Sequence, residues 1–148
     1  MFSGLSALVI EDVADEGDLI RVTARTRDDP VPCPVCETPT GQVHCFHGRM
    51  VADVPADGRR VVVSLRLRRL VCPPLDCRRQ TFREQVPGVV ERYQRRTSRL
   101  ADQLGSVVKE LAGRAGARLS RVPACWISRS TALRMLMRRA LPPPRVPR

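Results

Sequence analysis

Apolar residues that alternate every second position before about residue 90, and recur every three to four positions after it, predict an α+β fold class. A β-rich part comes first and a small helical part follows. Two cysteine pairs, Cys33-Pro34-Val35-Cys36 and Cys72-Pro73-Pro74-Leu75-Asp76-Cys77, decide the kind of β structure. Four thiols in two short turns are what a tetrahedral zinc ion requires. Residues 37–71 between the pairs suffice for a two-stranded excursion but not for an independent domain. The first part is therefore predicted to be a zinc ribbon, with Cys33, Cys36, Cys72 and Cys77 as ligands of Zn2+. Four protein ligands leave no open coordination position, so the metal is expected to be structural. The domains read as 1–90 for a β-hairpin and the ribbon, 91–141 for a helix-turn-helix domain, and 142–148 for a proline-rich linker.

In chain order, residues 5–27 come first. Leu8, Val9 and Ile10, then Leu19, Ile20 and Val22, flank the acidic break Asp15-Glu16-Gly17-Asp18, which predicts a β-hairpin. Residues 42–53 form a less regular strand, and Pro55, Asp57 and Gly58 mark a turn. Val61, Val63, Leu65 and Leu67 then fall on one face of a strand, with Ser64, Arg66 and Arg68 on the other, so this strand has one buried and one basic face. Leu100, Leu104, Val107, Val108 and Leu111 are spaced as on a helix, with Thr97 and Ser98 as candidate caps. Ala112 to Ser120 reads as a second short helix. A third runs from Ser128 to about Arg139, with Leu133, Leu136 and Met137 inward. The final Pro142-Pro143-Pro144-Arg145-Val146-Pro147-Arg148 reads as an extended linker, after which something is expected to follow.

The charge is uneven. The chain carries a net charge of +11 with 26 Lys and Arg against 15 Asp and Glu. Residues 1–50 hold 4 Arg and 8 acidic residues, and residues 51–148 hold 22 basic and 7 acidic ones. An excess of that size in one part of a chain points to a polyanion, and first to double-stranded DNA. No segment is apolar enough to span a membrane. The start, Met1-Phe2-Ser3-Gly4-Leu5, lacks the basic region of a secretory signal. Six cysteines without such a signal predict a reducing cytoplasm, where paired cysteines bind metals more often than they form disulfides. His44, Cys45 and His47 form a looser cluster and read as ordinary strand residues, because the four thiols already fill a tetrahedron. Cys125 and Trp126 read as packing residues. A thioredoxin-like role for Cys33 and Cys36 is disfavoured, because the surrounding pattern is not a βαβ unit.

The helical part reads as a helix-turn-helix, with Ala112 to Ser120 as first helix, Val122 to Ile127 as turn and Ser128 to Arg139 as recognition helix. Ser130, Thr131 and Arg134 are then the candidate base readers. Arg129, Arg138, Arg114, Arg118 and Arg121 suit phosphates, as do Arg95 and Arg96 in the basic segment before the helices.

The ordered pieces resemble the N-terminal region of bacterial insertion-sequence transposases of the type called "IS-L-three". They are Cys33-Pro34-Val35-Cys36, Val43-His44, Asp53-Val54-Pro55, the Arg-rich strand Leu65 to Leu70, and Cys72 to Cys77. Arg78-Arg79-Gln80-Thr81-Phe82, Val86-Pro87-Gly88, Tyr93-Gln94-Arg95-Arg96-Thr97 and Ser128-Arg129-Ser130-Thr131-Ala132-Leu133-Arg134 complete them. The resemblance implies a zinc-binding domain and a helix-turn-helix that together recognise the terminal inverted repeats of a mobile element in the bacterial cytoplasm. Such transposases hold two catalytic metals with three carboxylates. Beyond Val86 this chain offers only Glu91, Asp102 and Glu110, all in or beside one helix. The expectation is a DNA-binding piece with no strand-cutting activity of its own. The competing reading is a protein-interaction module that docks on a full-length transposase or on itself.

Overall fold

The computed structural model describes residues 3–112 and 129–137. The chain divides into two compact units, Met1–Leu100 and Ala101–Arg148.

In the first unit, a short 3₁₀ turn (Ser3–Leu5) leads into β1 (Leu8–Asp15) and β2 (Leu19–Thr26). These form the antiparallel hairpin that the acidic break foretold. The small ladder of β3 (Val31–Pro32) and β4 (Pro39–Thr40) follows. Then come the long strands β5 (Val43–Ala56) and β6 (Arg59–Val71), and the short β7 (Thr81–Arg83). The β5–β6 connection is Asp57-Gly58, both at positive φ (50° and 73°). Two successive left-handed residues make the hairpin turn whose twist matches its strands.

Strand β6 is the spine of the main sheet, whose order is β1-β2-β6-β5 with β7 also on β6. One edge of β6 pairs with β5 from Val43↔Leu70 to Ala56↔Arg59. Its other edge pairs in parallel with β2 up to Arg66, and then with β7 from Arg69 onward. The first hairpin is thus not a separate element packed on a ribbon. It is part of one mixed sheet.

Register decides what each face does, because residues directly paired across strands share a face. Val61, Val63, Leu65 and Leu67 stand with Ile20, Val22, Ala24 and Val51 on one face, and all are buried. Leu5, Leu8, Val86, Val89 and Val90 complete this core. Past Leu67 the buried side switches. Leu70 and its partner Phe82 belong to a second core with Cys33, Cys72 and Cys77. The sheet therefore buries one face in its first half and the opposite face beside the cysteines.

Arg68, expected on the exposed basic face, is a consequence of that switch. It is buried, and its Nε and Nη2 donate to Glu84 Oε2 and Oε1 at 2.9 and 2.7 Å. Thr26 Oγ1 donates to Glu84 at 2.6 Å, and Arg68 also donates to the Asp29 carbonyl at 2.9 Å. The group fills the gap where β2 ends and β7 begins. A buried ion pair is tolerable only with such satisfaction.

Helix α1 (Ser98–Ala112) begins at Thr97, whose Oγ1 accepts from the Leu100 N–H at 3.4 Å, so Thr97 is its N-cap. The same hydroxyl donates to Asp53 at 2.6 Å. Arg99 closes two further bonds on that buried carboxylate, through Nε at 2.7 Å and through Nη2. The start of α1 is thereby tied to β5.

The fold class expected for the second part needs correction. The described residues contain no helix-turn-helix. Ala112, expected to open the first motif helix, is the last residue of α1. In the second unit, α2 (Arg129–Met137) is a separate helix. A recognition helix must bury its apolar face on its partner helix, yet Leu133 is 51% and Met137 84% exposed. The remaining residues of the expected first helix (113–120), the turn (122–127), Cys125, Trp126 and the linker lie outside the described residues. The supported architecture is a β-rich zinc-ribbon region with helices that do not make that motif.

Candidate metal centre and the arginine cleft beside it

Two knuckles present the cysteines. In the first, the Cys33 N–H donates to the Thr38 carbonyl at 3.0 Å and the Glu37 N–H to the Cys33 carbonyl at 2.9 Å. Glu37 takes a positive φ of 60° to close the turn. In the second, the Cys77 N–H donates to the Pro74 carbonyl at 3.2 Å, and the Cys72 N–H to the Gln80 carbonyl at 2.8 Å. The four Sγ atoms of Cys33, Cys36, Cys72 and Cys77 all lie within 4.8 Å of one another. Cys33 and Cys77 stand 3.9 Å apart and Cys36 and Cys72 3.3 Å apart. A regular tetrahedron with Zn–S bonds of ~2.3 Å has sulfurs about 3.8 Å apart. The separations bracket that value, so the cluster is suited to one structural Zn2+.

The electrostatics are those of a metal site. Hydrogen bonds from the side chain and backbone of Thr38 pull the Cys36 thiol down to about 6. The Cys36 N–H does most to lower Cys33. Burial, then the neighbouring thiols, pushes Cys72 well up. Cys77 receives the Arg79 N–H at 3.4 Å, which lowers it, but burial and the crowding of Cys36 and Cys33 leave it raised. Four thiols this close cannot all ionise alone, and a dication removes the conflict.

His44 and Cys45 are exposed on β5, outside the four-thiol cluster. His47, also on β5, lines something else.

Beside the second knuckle lies a cleft of about 750 Å³. Its lining includes Arg49, Arg69, Arg79, Arg83 and Arg92, together with His47 and Tyr93. Among the described residues Glu84 is the one acidic residue lining it, and Glu84 is committed to Arg68. None of the five arginines forms an ion pair with a carboxylate among the described residues. Arg69 and Arg83 are directly opposite each other across β6 and β7. Like charges in that position destabilise a sheet. His47 reports the field: burial first, then the charges of Arg83, Arg49 and Arg69, hold its imidazole below the ordinary value. Its Nδ1 is buried with no hydrogen-bond partner among the described residues.

The zinc lobe supplies part of this cleft. Pro34 of the first knuckle lines it, and Arg79 stands two residues after Cys77, to whose sulfur its N–H is bonded. By contrast, the arginines on strand β1–β2 and at the β6 start are neutralised. Arg21 pairs with Glu16, Arg25 with Glu11 and Asp28, and Arg59 with Asp15.

Of the residues expected to contact DNA, the structure describes Arg95, Arg96, Arg129, Ser130, Thr131 and Arg134. Arg95 is exposed and Arg96 half-buried in the segment before α1, where the Arg95 carbonyl accepts from the Ala52 N–H at 2.9 Å. Arg129, Ser130, Thr131 and Arg134 belong to α2, with Ser130 and Arg134 exposed and Thr131 half-buried. Arg114, Arg118, Arg121 and Arg138 lie outside the described residues. Sequence reasoning missed the cleft arginines Arg49, Arg69, Arg79 and Arg83. For Arg69, Arg79 and Arg83 the signal available was their position on either side of the second cysteine pair, within the basic part of the chain, whereas Arg49 lies in the acidic first fifty residues and carried no such signal.

No helix among the described residues is long and apolar enough to cross a membrane. No curated protein and no solved structure matches the chain. Residues 29–77, about a third of the chain, match the family model described as the zinc-finger of transposase IS204/IS1001/IS1096/IS1165. That model is of a zinc finger and not of a catalytic domain. The matched segment takes in both knuckles and ends on Cys77, so the four-cysteine ribbon of this chain is similar to the zinc-binding module of that transposase type.

Proposed function

We propose that the chain is a zinc-containing DNA-binding module of a transposase, acting at the terminal inverted repeats of a mobile element, and that it grips DNA through the arginine cleft. The observation that carries this reading is the set of five arginines around one cleft, none of them ion-paired with a carboxylate among the described residues. Phosphate is the ligand such a fork-bearing, always-charged set favours. Zinc serves by holding a shape. It fixes the second knuckle and so the position of Arg79, and it performs no reaction. Arg95 lies in the same segment as Tyr93 and extends the basic surface along the strand that a bound backbone follows.

A salt series on a labelled duplex carrying an inverted-repeat end tests the reading. Affinity should fall steeply with salt, with a log–log slope of about −0.9 per phosphate contacted. Changing both Arg69 and Arg83 to Ala should reduce that slope by about two and weaken binding to all sequences alike. No measurable affinity at low salt would refute it.

A second reading, docking on another protein, has one observation in its favour. Phe46 and Met50 are 56% and 61% exposed on the sheet face opposite the first core. A stoichiometric protein partner lost on Phe46→Ser, with no DNA binding by the wild type, would favour it.

A further inference from the structure

The segment 91–94 borders the arginine cleft and carries the chain's one tyrosine. Tyr93 is 80% exposed. Its backbone sits at φ 64°, in the strained left-handed region that a bulky residue rarely adopts. The conformation is held from both sides. Arg49 Nη2 donates to the Gln94 carbonyl and, at 3.4 Å, to the Glu91 carbonyl. The Gln94 N–H donates to the Glu91 carbonyl at 3.1 Å. A strained, braced turn thus keeps an aromatic ring in water, where packing gains nothing from it. The Arg92 guanidinium lies 4.8 Å from the ring centroid, so it covers one face of the ring.

We propose that Tyr93 is a stacking platform for an unpaired base, and that the cleft takes a single strand, such as a frayed end, in preference to continuous duplex. The proposal rests on the DNA-binding reading above and names the strand state of its ligand. In the interior of a duplex both faces of each base are covered by neighbouring base pairs, and none is left for a protein ring. An unpaired strand offers base faces to an aromatic side chain and phosphates to a basic groove, the combination found here. Scale agrees. A cleft of about 750 Å³ matches a ligand of drug size, which is one or two nucleotides. The arginines hold the backbone, and Tyr93 with Arg92 holds the base.

The test is fluorescence anisotropy on the zinc-loaded full chain, with a labelled single strand and the same sequence as a blunt duplex, at one low salt concentration. The wild type should bind the strand roughly tenfold more tightly than the duplex. Tyr93→Ala should lower strand affinity by more than duplex affinity and so erase that difference, and Tyr93→Phe should keep it. Tyr93→Gly separates function from folding: relief of the positive φ should leave the melting temperature unchanged or higher, while strand affinity falls as in Tyr93→Ala. Equal wild-type affinity for strand and duplex, or a Tyr93→Ala loss that is the same for both, overturns the proposal while leaving the DNA-binding reading intact. Wild-type binding to neither overturns both.

Discussion

Asp53 shows how single residues hold this chain. Its carboxylate is buried and accepts from Thr97 and Arg99. Burial alone would raise its pKa, but the bonds from Arg99 and Thr97 and the backbone N–H of Val54 outweigh that and hold it below the ordinary 3.8. A carboxylate whose folded pKa is depressed stabilises the fold fully above its unfolded value. That stability drains away as pH falls below about 3.8 toward the folded value. Asp53→Asn should therefore cost about 2 kcal/mol at pH 7 by denaturant titration. Its deficit relative to wild type should shrink as pH falls below 4, and a deficit that stays constant with pH would refute the assignment. Residue-level legibility was mixed. Thr97 was readable as a cap because capping chemistry is local. Arg68 was misread as exposed because its partner Glu84 is sixteen residues away, and alternation along one strand says nothing about what arrives from outside it.

At the scale of elements, the hairpins and α1 follow from local patterns. The acidic break set the β1–β2 turn, and Asp57-Gly58 set the β5–β6 turn. A Cβ on Gly58 would meet nothing within 4 Å, so Gly58→Ala should cost about 1 kcal/mol through backbone conformation alone, read as a lower melting temperature with DNA affinity unchanged. A loss of DNA affinity in that variant would show that the turn does more than close a hairpin. What local pattern did not reveal was the parallel pairing of β2 with β6, which makes one sheet of two hairpins. Parallel pairing joins segments far apart in sequence, and no turn residue announces it. The helix-turn-helix failed for a related reason. Helical spacing and a good cap describe one helix, whereas the motif requires two packed helices, and the exposure of Leu133 and Met137 shows that α2 does not bury the face expected of it.

For the whole molecule, the decisive feature is that the sheet changes its buried side. Its first half packs an ordinary apolar core. Its second half packs on the cysteines, Leu70 and Phe82, a cluster too small to order itself without a metal. The four ligands were legible because cysteine spacing is a direct geometric statement. The arginine cleft was not, because it forms only when β6, β7, the second knuckle and the 91–94 segment meet, and those residues are scattered in sequence. DNA affinity should therefore depend on zinc, through Arg79 and the β7 arginine Arg83. The decisive measurement is the affinity of one protein preparation for labelled DNA in zinc-loaded form, after chelation with loss of zinc verified, and after zinc is restored. One zinc per chain is expected, with a fall in affinity of at least about tenfold on chelation and recovery on addition of Zn2+. Unchanged DNA affinity in the zinc-free protein would contradict it.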